Sequence, residues 1–265
     1  SCPRTISASR WGVAAVGSVR RKRSCGSTSQ TTGEGIKWTE GESISFTGNI
    51  CRNNKLRGIN GGILSTRRPT GRSPTTFATA TAAASASMEP PPARSGNVGC
   101  GNTGYGIDIQ SSVSVVAHLS VTGNWITGST YGVYVLNQQF VTIDGNDIDT
   151  CCTRIYLSGI TRIGISDNNI DVGIDFTSGT NTYININGNH VGRADQGNTG
   201  KSNIQGSASY VAITGNTFYS GGKADYAVHA TGSAWLVTVN MMNGGGVSGA
   251  VGGSPTSSTT TGNLT

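Results

Sequence analysis

One phrase recurs through the second half of this chain and constrains its fold: two alternating apolar residues, a short polar pair, Asn, any residue, then an apolar residue. It reads Val121-Thr122-Gly123-Asn124-Trp125-Ile126, Ile143-Asp144-Gly145-Asn146-Asp147-Ile148 and Ile165-Ser166-Asp167-Asn168-Asn169-Ile170. Two further copies are Ile186-Asn187-Gly188-Asn189-His190-Val191 and Ile213-Thr214-Gly215-Asn216-Thr217-Phe218. The Asn spacings are 22, 22, 21 and 27. A period this short marks a stacked repeat. No single copy can bury a core, but copies laid on one another bury a continuous one.

The alternation has period two: Val141 and Ile143 point in while Thr142 and Asp144 point out, and Ile184 and Ile186 repeat the pattern. These are strands with one buried face. A second strand is expected at Tyr105 to Ile109, Tyr131 to Val135, Thr153 to Leu157, Val172 to Phe176 and Tyr226 to Ala230. The apolar residue two places after each Asn marks a third inward contact. A coil of this length has a contour of ~70 Å, enough for one three-sided turn. The Gly-Asn or Asp-Asn pair sits at a corner, where Gly and Asn tolerate positive φ. Stacked Asn side chains can hydrogen-bond in a ladder. The Asn column is therefore read as architecture.

The Ile-Thr-Gly-Asn-x-Ile and Tyr-Gly-Ile-x-Ile phrases resemble the right-handed parallel β-helix repeat of pectate-lyase-like proteins, mannuronan epimerases, periplasmic copper-maturation proteins and phage tailspikes. The resemblance covers about residues 101–243, with a further copy at Ile44-Ser45-Phe46-Thr47-Gly48-Asn49. It implies an all-β, single-stranded, right-handed parallel β-helix with coils of about 22 residues. One such fold hosts many activities, so it implies no single function.

Charge divides the chain. Residues 1–100 carry 14 Lys/Arg and 4 Asp/Glu, or +10; residues 101–265 carry 5 and 9, or −4. Residues 1–33, with the run Arg20-Arg21-Lys22-Arg23, read as a basic, poorly ordered arm. No aromatic or RNA-reading motif accompanies that run, so nucleic acid is not the expected partner. Residues 34–243 read as the β-helix, interrupted at about 63–100 by a segment rich in Arg, Pro and Ala. Gly58 and Gly106 are separated by about two coils of chain, with one Asn phrase missing between them. That segment is either an insertion looping out of the solenoid or a stretch read in a shifted frame. Residues 244–265, rich in Gly, Ser and Thr, read as a flexible tail. The six cysteines show no metal-binding spacing, and a Cys2–Cys25 bridge is one of several open connectivities. No apolar run is long enough to span a membrane as a helix.

Chemistry on such a scaffold belongs to outward strand faces, where equal positions of successive coils stack about 4.8 Å apart. One column reads Asp108, Tyr134, Tyr156, Asp175, Gln205 and His229. Aromatic faces cover the apolar faces of sugar rings and carboxylates accept hydroxyl hydrogen bonds, so Asp108, Tyr134, Tyr156 and His229 are candidate substrate-binding residues. Exposed Tyr is equally a good strand former. A second column places Asp149 beside Asp171 in adjacent coils. Carboxylates ~5 Å apart match the pair of a retaining glycosidase. Asp149 and Asp171 are the catalytic candidates, with Asp175 next. No cofactor is required, although Asp144, Asp147 and Asp149 offer oxygen ligands that a divalent cation such as calcium would take. Asp is also common at turns, where it caps backbone groups.

The expectation is an extracellular or virion-associated solenoid that recognises, and in one version cleaves, a surface polysaccharide. Resemblance to tailspikes also implies a homotrimer. The alternatives are a non-catalytic structural or adhesive stalk and, with less support, a polysaccharide lyase or epimerase.

Overall fold

A computed structural model describes residues 22–25, 28–30, 34–38, 43–52, 57–62, 76–82, 98–149, 155–192, 202–219, 224, 226–243 and 251–264. Every described element is a β-strand, and the strands pair in parallel as stacked coils of a β-solenoid. Each coil has three faces. Tyr131–Asp144 supplies the first and second faces in one continuous strand, and Asp147–Asp149 supplies the third. Ile174–Asn187, Ile204–Thr214 and Val228–Thr238 run over two faces in the same way. The two strands expected separately are thus joined. The corner between them is turned by a residue at positive φ inside the strand, so pairing continues on both sides of the bend.

Inward residues form columns that run the length of the coils. On the second face Ile143, Ile165, Ile186, Ile213 and Val237 are stacked in register and buried. On the third face Ile126, Ile148, Ile170, Val191, Phe218 and Met242 do the same. Large and small residues alternate where rings enter: Phe176 lies in the space above Gly206 and stacks on Trp235, with ring centres 5.7 Å apart. A side chain at Gly206 would occupy that ring's place.

The Asn ladder is present and complete from Asn124 to Asn263. From Asn124 to Asn240 each Asn side chain donates to the next Asn Oδ1, and Asn168, Asn189, Asn216 and Asn240 also donate to backbone carbonyls of their own and the preceding coil. Asn168 Nδ2 donates to Asn189 Oδ1 at 2.9 Å, to Ile143 O at 3.0 Å and to Ser166 O at 2.8 Å. The ladder's steps are 22, 22, 21, 27, 24 and 23 residues. Asn124 to Asn240 are buried and Asn263 is half-buried, and the corner they fill would otherwise leave backbone groups without partners.

Three regions depart from the sequence reading. Arg57–Gly62 pairs directly with Tyr105–Thr122, Arg57 facing Tyr105 and Asn60 facing Asp108. The chain between them makes one rung, not two. Thr76–Ala82 fills the second face of that coil and Val98–Cys100 its third. The extra length is taken up between faces, so chain length overstates the number of rungs here. At the other end, Val251–Gly253 and Thr256–Thr261 pair with Val228–Thr238, and Asn263 joins the ladder. Residues 251–264 therefore form a further coil instead of a flexible tail. The open backbone edge of the previous coil templates them despite their linker-like composition. Lys22–Cys25 and Thr28–Gln30, inside the expected arm, pair with Ser43–Arg52. Cys2, Arg20, Arg21, Cys151 and Cys152 lie outside the described residues. No helix among the described residues is long and apolar enough to cross a membrane.

Candidate functional site

The three faces carry three different surfaces. On the first, Asp108, Tyr134, Tyr156, Asp175, Gln205 and His229 stand in one register column, as the spacing predicts. Their surroundings differ from expectation. Asp108 is fully buried and ion-paired with Arg57, and Gln110 Nε2 donates to its Oδ1 at 2.7 Å. Four tyrosines close over this pair. Tyr134 and Tyr156 stack at 4.9 Å, Tyr105 and Tyr131 at 5.2 Å, and Tyr131 meets Tyr134 edge-on at 5.0 Å. Arg57 also lies over the Tyr105 ring. The ring faces cover one another, and Asp108, outward between the core residues Ile107 and Ile109, is covered and paired with a guanidinium, so the carboxylate is not offered to a ligand.

This packing has a titration consequence. Burial, then the neighbouring Tyr105 and Tyr156 phenols, push the Tyr134 phenol up to about 12 from an ordinary 10.0. Burial and the Asp108 charge also raise Tyr105. A group whose folded pKa exceeds its unfolded value lends stability below the unfolded pKa and loses it as pH rises through the folded one. Stability is therefore expected to fall between about pH 10 and 12. Urea unfolding across that range, with Tyr134→Phe as comparison, checks this: the variant should show a shallower decline. An equal decline in both would remove Tyr134 as the source.

Asp175 is almost buried. Its Oδ1 accepts from Thr177 N at 3.0 Å and Thr177 Oγ1 at 2.8 Å, and its Oδ2 accepts from Gln205 Nε2 at 2.7 Å. Those contacts fasten the turn after Phe176. Asp175 stands on the first face, apart from Asp149 and Asp171 on the third, so the three catalytic candidates are not brought together. His229 is half-buried and tilts against Tyr226.

The third face holds a groove of about 530 Å³ lined by Asp147, Asp149, Asn169, Asp171, His190, Gly192 and Tyr219. Asp147, Asn169 and His190 occupy one column, with Asn169 Nδ2 donating to Asp147 Oδ1 at 3.1 Å. Asp149, Asp171, Gly192 and Tyr219 form the next. Backbone bonds from Asp171 N to Ile148 O at 3.0 Å and from Gly192 N to Ile170 O at 2.8 Å set them on successive rungs. The two carboxylates thus originate one rung, about 4.8 Å, apart. Gly192 has φ +98, and a side chain there would run into the Tyr219 carbonyl. Glycine lets the backbone at Tyr219 pack directly against this rung. His190, in the variable position after the ladder Asn, is part of the lining.

Asp144 is elsewhere, at the end of the second face, where Ser166 Oγ donates to it at 2.6 Å. Among the described residues no three carboxylates, imidazoles or thiols come together as a cation's ligand set. The calcium expectation at Asp144, Asp147 and Asp149 therefore gains no geometry.

The second face carries a surface that the sequence reading missed. Phe140, Arg162, Tyr183 and Tyr210 stand at one corner on successive coils, with Ala234 and Ser257 continuing the column. All six have positive φ, between 54° and 63°. That costs on the order of 1 kcal/mol for each non-glycine residue. The Arg162 guanidinium lies over the Phe140 ring at 5.1 Å and the Tyr183 ring at 5.8 Å; Tyr183 and Tyr210 stack at 4.9 Å. Arg162 is thus held in an aromatic stack. Beside this ridge runs a second groove of about 530 Å³, floored by Ser120, Thr142, Gly164 and Asn185. The Asn ruler would have found the ridge: each member lies six residues before a ladder Asn.

Comparison with family models, with curated proteins and with solved structures gives no match to this chain.

Proposed function

We propose that this chain is a polysaccharide-recognising solenoid of the tailspike-like kind, acting outside the cell or on a virion, and that it hydrolyses the bound glycan in the third-face groove. The observation that carries this reading is the placement of Asp149 and Asp171 on adjacent rungs of one groove, with His190 and the Tyr219 ring beside them. Backbones one rung apart let the two carboxyl groups approach to the short separation that a retaining pair uses. Asp149 attacks the anomeric carbon as the glycosidic bond breaks. Asp171, the more enclosed, gives its proton to the leaving oxygen where bulk water competes least for it. Water then releases the sugar from Asp149, and Asp171 takes the proton back. Tyr219 offers a ring edge and hydroxyl to the sugar, and His190 and Asn169 offer hydrogen bonds to its hydroxyls.

The test is incubation of the purified chain with a panel of bacterial surface polysaccharides, following new reducing ends and product size. Release of oligosaccharides from at least one supports the reading. Unsaturated products absorbing in the ultraviolet would replace hydrolysis with a lyase reaction. Binding with no cleavage would reduce the groove to recognition.

A second reading, a non-catalytic structural stalk, is favoured by a different observation. Asp108 and Asp175 serve internal partners, and much of the polar chemistry is spent on the ladder. Neither binding nor cleavage in the same panel is its expected outcome.

A further inference from the structure

We propose that the second-face ridge and its groove form a separate binding site for an acidic, uronate-bearing glycan, independent of the third-face groove. The corner itself needs no ring or cation: Ala234 and Ser257 make the same bend at the same φ. Glycine would make it with less strain. Yet four successive coils place Phe140, Arg162, Tyr183 and Tyr210 there, pointing outward, with Tyr183 50% and Tyr210 57% exposed. These side chains add nothing to the core. What they build is a continuous stack along the solenoid axis that stops at Ala234, whose methyl leaves the far face of Tyr210 uncovered.

A pyranose ring over Ala234 would lie against that face and extend the stack by one step. The rest of the glycan, running along the axis, follows the groove. There Thr142 and Asn185 present polar side chains, and Gly164, with open space where a side chain would stand, makes a dip between them. Arg162 stands two rungs from Tyr210, about 10 Å along the axis. No carboxylate among the described residues is ion-paired with it; its contacts are ring faces. A planar guanidinium already oriented by two rings is suited to bidentate capture of a carboxylate. A cation within a ladder of rings selects an acidic sugar over a neutral one.

The ridge can be altered without touching the core, because its own column shows what the corner tolerates. Ala234→Tyr copies the residue of the two preceding coils and fills the gap. Arg162→Gln removes the charge. Both are compared with wild type and with an Asp149→Asn/Asp171→Asn variant on an array of neutral and uronate-bearing glycans. The expected result is wild-type retention of uronate-bearing glycans. Ala234→Tyr should weaken this at least tenfold, Arg162→Gln should erase the preference over neutral glycans, and the double Asp variant should bind as wild type does. Binding untouched by either ridge substitution but lost in the double Asp variant would overturn the ridge site and leave the third-face reading standing. Wild type that degrades a polysaccharide yet shows no ridge-dependent binding would do the same. Ridge-dependent binding in a chain that cleaves nothing would support the ridge site and end the hydrolysis reading.

Discussion

Asn189→Ala lowers the stability of the solenoid by about 3–5 kcal/mol. The side chain makes five hydrogen bonds. Its Nδ2 donates to Ile165 O at 2.9 Å, Asn187 O at 3.0 Å and Asn216 Oδ1 at 3.0 Å. Its Oδ1 accepts from Asn168 N at 3.0 Å and Asn168 Nδ2 at 2.9 Å. All but the bond to Asn187 O are buried, so truncation removes the bonds and leaves most of their partners in the corner with neither protein nor bulk water to satisfy them. Each orphaned group costs about 1–3 kcal/mol, and partial relaxation keeps the total below the simple sum. For a chain of this size the melting temperature should fall on the order of 10 °C. Thermal and urea unfolding followed by circular dichroism measure it. Asn187→Ala, an exposed neighbour, is the control and should shift stability by less than about 0.5 kcal/mol. Equal small shifts in the two variants would mean that the ladder is ornament, and that backbone pairing alone holds the corner.

Asp171→Asn is expected to lower kcat for glycan hydrolysis about 10²- to 10⁴-fold, while binding of the same glycan stays within a few-fold of wild type. The amide keeps the shape and hydrogen-bonding reach of the carboxyl but cannot deliver a proton. Asp149→Asn should be as severe through loss of the nucleophile, and should also abolish any covalent glycosyl intermediate seen by mass spectrometry. The contrast is Asp175→Asn. Its carboxylate is engaged by Thr177 and Gln205 on another face, so this change should disturb local stability and spare turnover. Full activity in Asp171→Asn, or a collapse of activity in Asp175→Asn with the fold intact, would sink the assignment.

The Asn period made the solenoid legible because the ladder demands one residue type at one corner of every coil. From that ruler the column from Asp108 to His229 and the pairing of Asp149 with Asp171 followed directly. The environment of those columns was harder to read. Asp108 looked outward by parity, yet its partner Arg57 comes from a coil whose extra length placed it two rungs away on paper and one rung away in space. The shell of Tyr105 and Tyr131 around Tyr134 depends on that same neighbour. The second-face ridge was hidden for another reason. Positive φ is ordinarily signalled by Gly or Asn, and here Phe, Arg and Tyr adopt it, so no local residue preference announces the bend. The ridge appears only when positions are aligned coil to coil.

The rung that joins Arg57–Gly62 to Tyr105–Thr122, across twice the usual length of chain, has a wider meaning. Hydrogen bonds that set the pitch run transverse to the chain, from coil to coil, and are indifferent to how much polypeptide intervenes. Contour length is therefore a free variable in this architecture, whereas phase around the axis is not. A segment spliced in at a corner should leave every column aligned, while deletion of one residue within a strand should rotate all that follows out of phase.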